Sequence, residues 1–209
     1  MLTTITAGAL LAATLGAPVP GGPSDPPPTG EMTIAVVAAN GSGCPKGTAE
    51  VTVSPDNKAF TVTYSQFTAQ VGPGAKPTDF RKNCQMALDV KVPSGFTYAI
   101  AGADYRGFAR LEAGATGSET AFYYFQGEPH TTVSKYDFKG WMEESWQRSD
   151  RVAITSTSYL PCGEKRYLNV NTELRVNQNN SSKNAVSFLT MDSSDGSLET
   201  VYHVTWLKC

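Results

Sequence analysis

Hydrophobic residues recur at every second position along most of the chain after residue 31. The clearest stretches are residues 60–64, 88–92 and 168–176, and we find no window of a dozen residues with a helical period. A strand with one buried face and one solvated face produces this alternation, and antiparallel sheets that pack through one face contain such strands. The sequence therefore predicts an all-β protein.

Turn residues separate the alternating segments, which together predict about ten short strands. The Ser-Pro-Asp-Asn sequence at residues 54–57 suits a turn between two strands, and Asp195-Gly196 suits a type I′ turn between the last two. The expected strands are residues 32–39, 49–54, 58–65, 66–71, 86–92, 96–111, 119–126, 151–159, 166–176, 185–191 and 198–207. So many strands without a helix predict an antiparallel two-sheet β-sandwich that is jelly-roll-like.

Two segments depart from the alternation. Residues 122–125, Phe-Tyr-Tyr-Phe, are apolar on both faces, which predicts a central strand that is covered on both sides. Residues 127–150 form the longest segment without alternation, which predicts an irregular connection. Irregular connections on a rigid scaffold are common places for binding residues, so this segment is where we look for function.

The length and charge of the chain narrow the choice of partners. At 209 residues it is long enough for one domain with a sizeable core. It carries 17 Lys and Arg residues against 19 Asp and Glu residues, a net charge of −2. A net charge this small produces too weak an electrostatic field to attract the phosphates of nucleic acid, so nucleic acid is not an expected partner.

The beginning of the chain has the character of an export signal. Residues 7–15 are small and apolar, and a small Gly-Ala pair follows them. We therefore expect a signal peptide at residues 1–17, a flexible Pro- and Gly-rich tether at residues 18–30, and a single β-sandwich domain at residues 31–209. No second apolar run has the length of a membrane span, so the expected location is extracellular.

Four cysteines form an even set in this exported chain, and no two of them are spaced as C-x-x-C. This spacing is typical of zinc sites and of thioredoxin-like redox sites, so neither is indicated and no metal is expected. Three pairings into disulfides are possible, and the least entangled one joins neighbours in sequence, with a stabilisation of about 4 kcal/mol for each bond. Those pairs are Cys44 with Cys84 and Cys162 with Cys209.

Several short blocks, including those around all four cysteines, follow one another in a characteristic order. They are Gly41-Ser42-Gly43-Cys44-Pro45, Ala59-Phe60-Thr61-Val62, Arg81-Lys82-Asn83-Cys84-Gln85, Pro93-Ser94-Gly95-Phe96, Asp104-Tyr105-Arg106-Gly107-Phe108, Pro161-Cys162-Gly163 and Lys208-Cys209. Together they resemble the secreted family catalogued as domain of unknown function 4360, over most of the chain after the tether. The resemblance implies extracellular proteins of ascomycete fungi and some bacteria, with paired cysteines and no established activity. It supplies no catalytic residues.

The motifs of common enzymes do not occur in the chain. It contains no G-x-S-x-G, H-E-x-x-H or phosphate-binding glycine loop, and its two histidines, His130 and His203, are too few for a three-histidine metal site. We therefore assign no catalytic residue and expect no cofactor. Glycoside hydrolysis needs only two carboxylates, so a polysaccharide hydrolase stays open as an alternative. The carboxylates for it would come from Glu128, Asp137, Glu143, Glu144 and Asp150.

The strongest candidate for ligand binding is the aromatic stretch at residues 136–148. Trp141 and Trp146 lie there among carboxylates and amides. Sugars pack their C–H faces on flat rings and hydrogen-bond to such polar groups. Alternatively, the two indoles plug the end of the sandwich. The candidate ligand-binding residues are Tyr136, Asp137, Trp141 and Trp146, His130 in the same segment, and Tyr105 and Arg106 in a separate strand motif.

Three acceptor sequons, at Asn40, Asn179 and Asn180, predict N-glycosylation if the host is a eukaryote. The sequence as a whole predicts a secreted, non-catalytic module that binds carbohydrate or another cell-surface component. A polysaccharide hydrolase and a protein-interaction or host-facing factor are the alternatives.

Overall fold

The computed structural model describes residues 24–152, 157–191 and 199–209, and twelve strands lie within them. No helix in this described part is long and apolar enough to cross a membrane. The strands are β1 Thr33–Asn40, β2 Ala49–Val53, β3 Ala59–Tyr64, β4 Thr68–Val71, β5 Arg81–Lys91, β6 Phe96–Leu111, β7 Thr116–Phe125, β8 Thr132–Lys139, β9 Met142–Arg151, β10 Leu168–Asn177, β11 Ser187–Thr190 and β12 Glu199–Lys208.

The strands form two sheets that face each other. The five-stranded sheet has the order β1-β5-β10-β7-β8, and the seven-stranded sheet has the order β2-β3-β12-β6-β11-β4, with β9 also paired to β6. Every pairing between these strands is antiparallel. The predicted antiparallel, jelly-roll-like β-sandwich is confirmed.

Alternation along the strands places one face of each sheet in a shared core. In β7 and β10 every second residue is buried, as period-two patterning requires. Trp206, Tyr98 and Tyr202 are among the largest fully buried side chains, and the rings of Phe60 and Tyr202 stack with centroids 5.0 Å apart. Burial of a large apolar side chain contributes about 1.5–3 kcal/mol, so this aromatic layer is a main source of stability.

Both predicted disulfides are present. Cys44, between β1 and β2, is bonded to Cys84 in β5, and Cys162 is bonded to Cys209, with Cα–Cα distances of 5.2 and 5.7 Å. The first bond attaches the connection after β1 to the five-stranded sheet. The second attaches the loop before β10 to the residue after β12, so it links elements of the two sheets.

Residues 127–150 are mostly strand, and the prediction of an irregular connection is wrong. Strand β8 pairs with β7 and strand β9 pairs with β6, so the chain passes from one sheet to the other between them. Alternation is weak here because both strands lie at sheet edges, where inward side chains such as Arg148 and Asp150 stay partly exposed. Of the strand expected at 151–159, Arg151 ends β9, residues 157–159 are not strand, and residues 153–156 lie outside the described residues.

Strand β7 is covered on one face only. Tyr123 and Phe125 are each 4% exposed in the core, whereas Phe122 and Tyr124 point outward and are partly exposed. No described strand packs over this outer face, because the molecule has two layers of sheet. The prediction of a strand covered on both sides is therefore wrong, and two aromatic side chains lie on the surface instead.

Residues 24–30, at the end of the expected tether, are bound to the domain. The Asp25 N–H donates to the Trp206 carbonyl at 2.9 Å, and the Asn57 side-chain amide donates to the carbonyls of Pro28 and Gly30 at 3.1 and 2.7 Å. These bonds hold the segment in place. The expected signal peptide, the first part of the tether and the Asp195-Gly196 turn lie outside the described residues.

Candidate functional site

The two tryptophans of the aromatic stretch occupy different environments. Trp146 in β9 is 4% exposed, and its ring packs against Phe138 with centroids 5.0 Å apart. Gly107 in β6 makes room for the indole, because a Cβ at this position would lie 2.3 Å from it. Trp141, at the turn between β8 and β9, is 69% exposed. Of the two indoles, Trp141 is the one that a ligand can reach, and Trp146 is a core residue.

Tyr105 and His130 lie near Asp150, at the end of the sandwich where β9 finishes. The Asp150 carboxylate accepts hydrogen bonds from the hydroxyls of Tyr105 and Tyr123, each at 3.2 Å, and from a backbone N–H of β6 at 2.5 Å. Asp150 and His130 line a surface cavity of about 410 Å³. These three donors hold the carboxylate in place, and Asp150 thereby joins a tyrosine of β6 to a tyrosine of β7.

A second carboxylate, Glu119 of β7, is buried inside the sandwich. It is 0% exposed, and neither of its oxygens has a hydrogen-bond partner within the described residues. Burial, reinforced by the charge of Asp150, raises the pKa of Glu119 well above its ordinary value. Tyr136 lies directly opposite on β8. The other strands surround Glu119 with tyrosines, which are Tyr64, Tyr105 and Tyr202.

Arg106 lies on the outer face of the seven-stranded sheet, where charged groups pair with one another. Its guanidinium lies 3.4 Å from Glu199. The carboxylate of Asp104 lies 2.6 Å from His203 Nε2 and 3.0 Å from the Arg151 guanidinium. Burial works to raise the pKa of Asp104, but hydrogen bonds from a serine of β9, His203 and Arg151 outweigh it and lower that pKa to about 2. The charges of this face therefore satisfy one another.

The outer face of the five-stranded sheet has a different composition. At its centre, Phe122 and Tyr124 of β7 lie in register with Asn171 and Asn169 of β10. On the far side of β10, Gln85 of β5 lies in register with Asn171. An exposed valine of β8 lies beside Phe122 and extends the apolar part. We call this set the amide–aromatic surface: Gln85, Phe122, Tyr124, Val133, Asn169 and Asn171.

The side-chain amides of this surface are available to a ligand. No side-chain hydrogen bond joins Gln85, Asn169 or Asn171 to another residue in the described ranges. Each primary amide offers two donor hydrogens and an acceptor oxygen. The strands that carry them are paired on both sides, so these groups stand on a rigid platform.

The same face continues along β7 as a groove. Its floor consists of the short hydroxyl side chains of Thr116, Ser118 and Thr120, and longer charged side chains of β8 and β10 line its sides. The cavity measures about 430 Å³. The charged lining residues are Lys135, Asp137, Lys139, Glu173 and Arg175. We call this feature the β7 groove.

The amide–aromatic surface and the β7 groove together follow the whole length of β7. That strand has 10 residues, and at about 3.3 Å per residue it extends roughly 30 Å. An extended ligand with several repeating units could contact both parts at once.

The structure brings few of the predicted ligand-binding residues together. Tyr105 and Tyr136 are close, with ring centroids 6.2 Å apart, but Tyr105 is fully buried. Asp137 lies on the outward face of β8 and lines the β7 groove. Trp141 and Arg106 lie elsewhere on the surface, on a turn and on the other sheet. Sequence reasoning missed the amide–aromatic surface, for which the doubly apolar segment at residues 122–125 was the available signal.

The three sequon asparagines are exposed, and their glycosylation stays a prediction. Asn40 ends β1 and lies in register with Gln85, at the margin of the amide–aromatic surface. The side-chain amide of Asn179 donates to the Thr116 hydroxyl at 2.9 Å, at one end of the β7 groove.

Residues 30–209 match the family described as domain of unknown function, DUF4360. The chain belongs to the DUF4360 family. This DUF4360 chain is 36% identical over 189 residues to an uncharacterized secreted protein of Arthroderma benhamiae, a match that covers 90% of the chain and 76% of that relative. The relative and the two disulfides agree on the location, and the DUF4360 protein is extracellular.

Two solved structures are distantly similar to the DUF4360 domain. One is TmCBM61 in complex with β-1,4-galactotriose, with a TM-score of 0.30, 8% identity, and coverage of 87% of this chain and 90% of that one. The other is the family 11 carbohydrate-binding module from Clostridium thermocellum in complex with a β-1,3-1,4-mixed-linked tetrasaccharide. Its TM-score is 0.22 at 6% identity, with coverage of 85% and 89%.

Proposed function

We propose that this DUF4360 protein is a non-catalytic extracellular module that binds a polysaccharide along β7, on the outer face of the five-stranded sheet. The observation that carries the proposal is the amide–aromatic surface. Two partly exposed rings lie in register with two asparagines whose side-chain amides have no partner among the described residues. A ligand that packs on these rings removes apolar surface from water, and the neighbouring amides can hydrogen-bond to its polar groups.

The chemistry of this surface matches that of sugars. A sugar ring has apolar C–H faces and a rim of hydroxyls, and aromatic rings accept the former while amides exchange hydrogen bonds with the latter. Phe122 and Tyr124 lie on the same side of β7, two residues apart, which separates them by roughly 7 Å along the strand. Neighbouring units of an extended chain can therefore pack on the two rings while Asn169 and Asn171 bind hydroxyls.

The carboxylates beside the ligand path favour binding over hydrolysis. Glycosidases need one carboxyl group to protonate the leaving oxygen and a second to attack or to activate water. In the β7 groove, Glu173 is bound by Arg81 and Arg175, and Asp137 is bound by Lys135 at 3.2 Å. Both carboxylates of the groove are therefore already engaged by cations of the protein itself.

The first test measures binding to cell-wall polysaccharides. Insoluble polymers are used to deplete the protein from solution, and soluble fragments of any polymer that binds are then titrated by calorimetry. The double variant Phe122→Ala/Tyr124→Ala should bind at least about tenfold more weakly, because both stacking surfaces are lost. Asn171→Ala should weaken binding by about fivefold, as expected for one hydrogen bond of about 1 kcal/mol.

The matched control is Arg106→Ala, which changes the outer face of the other sheet and should bind as the unmodified protein does. Circular dichroism and thermal melting establish that each variant is folded. Equal affinities for the Phe122→Ala/Tyr124→Ala variant and the Arg106→Ala control would overturn the proposed surface. Absence of saturable binding to every polymer would overturn the proposed function itself.

A further inference from the structure

The charge of the β7 groove differs in sign from the charge of the protein. The chain as a whole has a net charge of −2. Around the groove, by contrast, cations outnumber carboxylates on the outer face of the five-stranded sheet. The cations are Arg81, Lys135, Lys139 and Arg175, and the carboxylates are Asp137 and Glu173. A cationic patch on an acidic protein points to an anionic ligand.

The ion pairs within the groove leave part of this positive charge unmatched. Glu173 is shared between two guanidiniums, that of Arg81 at 2.5 Å and that of Arg175 at 3.2 Å. Asp137 is paired with Lys135 at 3.2 Å. Lys139 has no ion-pair partner among the described residues. One guanidinium charge and one ammonium charge are therefore left over at the two sides of the groove.

We propose that the β7 groove binds carboxylated sugar units, so that the ligand is an acidic polysaccharide of the polyuronate class. This inference rests on the proposed function, because the same chain must also lie on the amide–aromatic surface. It adds the class of sugar that enters the charged half of the path.

The geometry suits carboxylates carried at intervals along an extended chain. Arg175 is on β10 and Lys139 is on β8, with the hydroxyl floor of β7 between them. A guanidinium accommodates a carboxylate with two parallel hydrogen bonds, and an ammonium attracts it as a point charge. Arg175 is held over the Phe80 ring, with its guanidinium carbon 5.8 Å from the centroid, so its orientation is partly set before a ligand arrives.

The experiment compares two polymers that share one backbone. Polygalacturonate carries a carboxylate on each unit, and its fully methyl-esterified form carries none. At low salt the protein should bind polygalacturonate at least about tenfold more tightly than the ester, and the preference should shrink as added salt screens the exposed charges.

Two double variants with equal net charge locate the effect. Lys139→Gln/Arg175→Gln should lose the preference for polygalacturonate while it keeps its affinity for the ester. Lys46→Gln/Lys58→Gln removes two exposed cations from the turns on either side of β2 and should keep the preference. The variant Phe122→Ala/Tyr124→Ala should lose affinity for both polymers.

The outcomes separate this inference from the proposed function. Equal affinity for acid and ester, or an unchanged preference in Lys139→Gln/Arg175→Gln, would overturn the assignment of the groove to carboxylates. Equal or tighter binding of a sulfated dextran would show a general response to negative charge and would overturn it too. Binding to a neutral glucan alone would leave the proposed function standing and remove the polyuronate inference. Failure with every polymer would remove both.

Discussion

The outer face of the seven-stranded sheet and the amide–aromatic surface of the five-stranded sheet use their polar groups in opposite ways. On the seven-stranded sheet, Asp104 is held by His203 and Arg151, and Arg106 is paired with Glu199. On the five-stranded sheet, the amide–aromatic surface keeps its amides free of side-chain partners in the described chain. Exposure to solvent is common to both. The two surfaces differ in whether their polar side chains are already paired with one another. Polar side chains that are not paired in this way can bind a ligand instead.

The largest change in the free energy of unfolding should come from replacing an aromatic residue of the core. The comparison with aromatic residues of the surface tests whether buried rings stabilise the fold and surface rings bind the ligand. Trp146→Ala empties a buried site and should reduce the free energy of unfolding by about 3–5 kcal/mol. In contrast, Phe122→Ala/Tyr124→Ala should reduce affinity with a much smaller loss of stability. Urea unfolding followed by circular dichroism gives the comparison.

Trp141→Ala is the matched control for the indole, because Trp141 is 69% exposed. Its free energy of unfolding should stay within about 0.5 kcal/mol of that of the unmodified protein. A Trp146→Ala protein as stable as the Trp141→Ala protein would remove the distinction between core and surface rings.

A second prediction uses Glu119, the buried carboxylate of β7 that has no hydrogen-bond partner among the described residues. Its pKa is raised in the folded protein, so above pH 4.5 the folded state binds more protons there than the unfolded chain does. The contribution of Glu119 to the free energy of unfolding is fully present below pH 4.5. Above that pH the free energy of unfolding falls, by at most about 1.4 kcal/mol per pH unit. Glu119→Gln should flatten this decline, as measured by urea unfolding between pH 4 and pH 8.

The comparison of the two proteins at each pH isolates Glu119, because every other group titrates in both. Tyrosines and Asp150 surround Glu119, and none of them supplies a positive charge that would reverse the sign. Parallel stability curves for Glu119→Gln and the unmodified protein would contradict the prediction.

The opposite pH dependence is expected from Asp104 on the seven-stranded sheet. Its pKa falls from 3.8 to about 2 on folding, so its stabilisation is present above pH 3.8 and is lost as the pH falls towards 2. Because solvent screens these partly exposed ion pairs, Asp104→Asn should lower the free energy of unfolding by about 1 kcal/mol at pH 7 and by progressively less at lower pH.

The smallest change in the free energy of unfolding is expected from Asn171→Ala, on the outer face of the five-stranded sheet. Asn171→Ala removes an amide with no side-chain partner among the described residues, and it should change the free energy of unfolding by less than about 0.5 kcal/mol. If Asn171→Ala destabilised the protein as much as Asp104→Asn, the contrast between the paired charges of the seven-stranded sheet and the amide–aromatic surface would fail.

Much of the fold could be predicted from the sequence because it depends on local periodicity. The alternation at residues 168–176 corresponds to β10, and the cysteine order predicted both disulfides. Strands β8 and β9 were missed because they lie at sheet edges. There the inward positions include Arg148 and Asp150, so the chain shows no clear dry face.

The candidate site was harder to predict, because the hydrophobic pattern reports burial and not the absence of a covering layer. Phe122 and Tyr124 looked like residues beneath a second layer, and the structure has no described strand over them. The alternation placed Asn169 and Asn171 on the solvent-facing side of a strand. A solvent-facing side that binds a ligand has the same sequence pattern as one that contacts only water. Trp146 was predicted to bind a ligand because it is a large aromatic residue among polar ones, but its indole is buried in the core.

The hydrogen bonds of Asp25 decide how this molecule can be attached to something else. Asp25 binds the Trp206 carbonyl and accepts from the Lys208 N–H at 2.8 Å, so the chain enters and leaves the domain side by side at β12. Strand β12 belongs to the layer opposite β7. A tag, a surface linkage or a neighbouring module joined before residue 24 or after Cys209 would therefore start beside the end of that strand, where Cys209 is also bonded to the loop before β10, and two such attachments would lie close together.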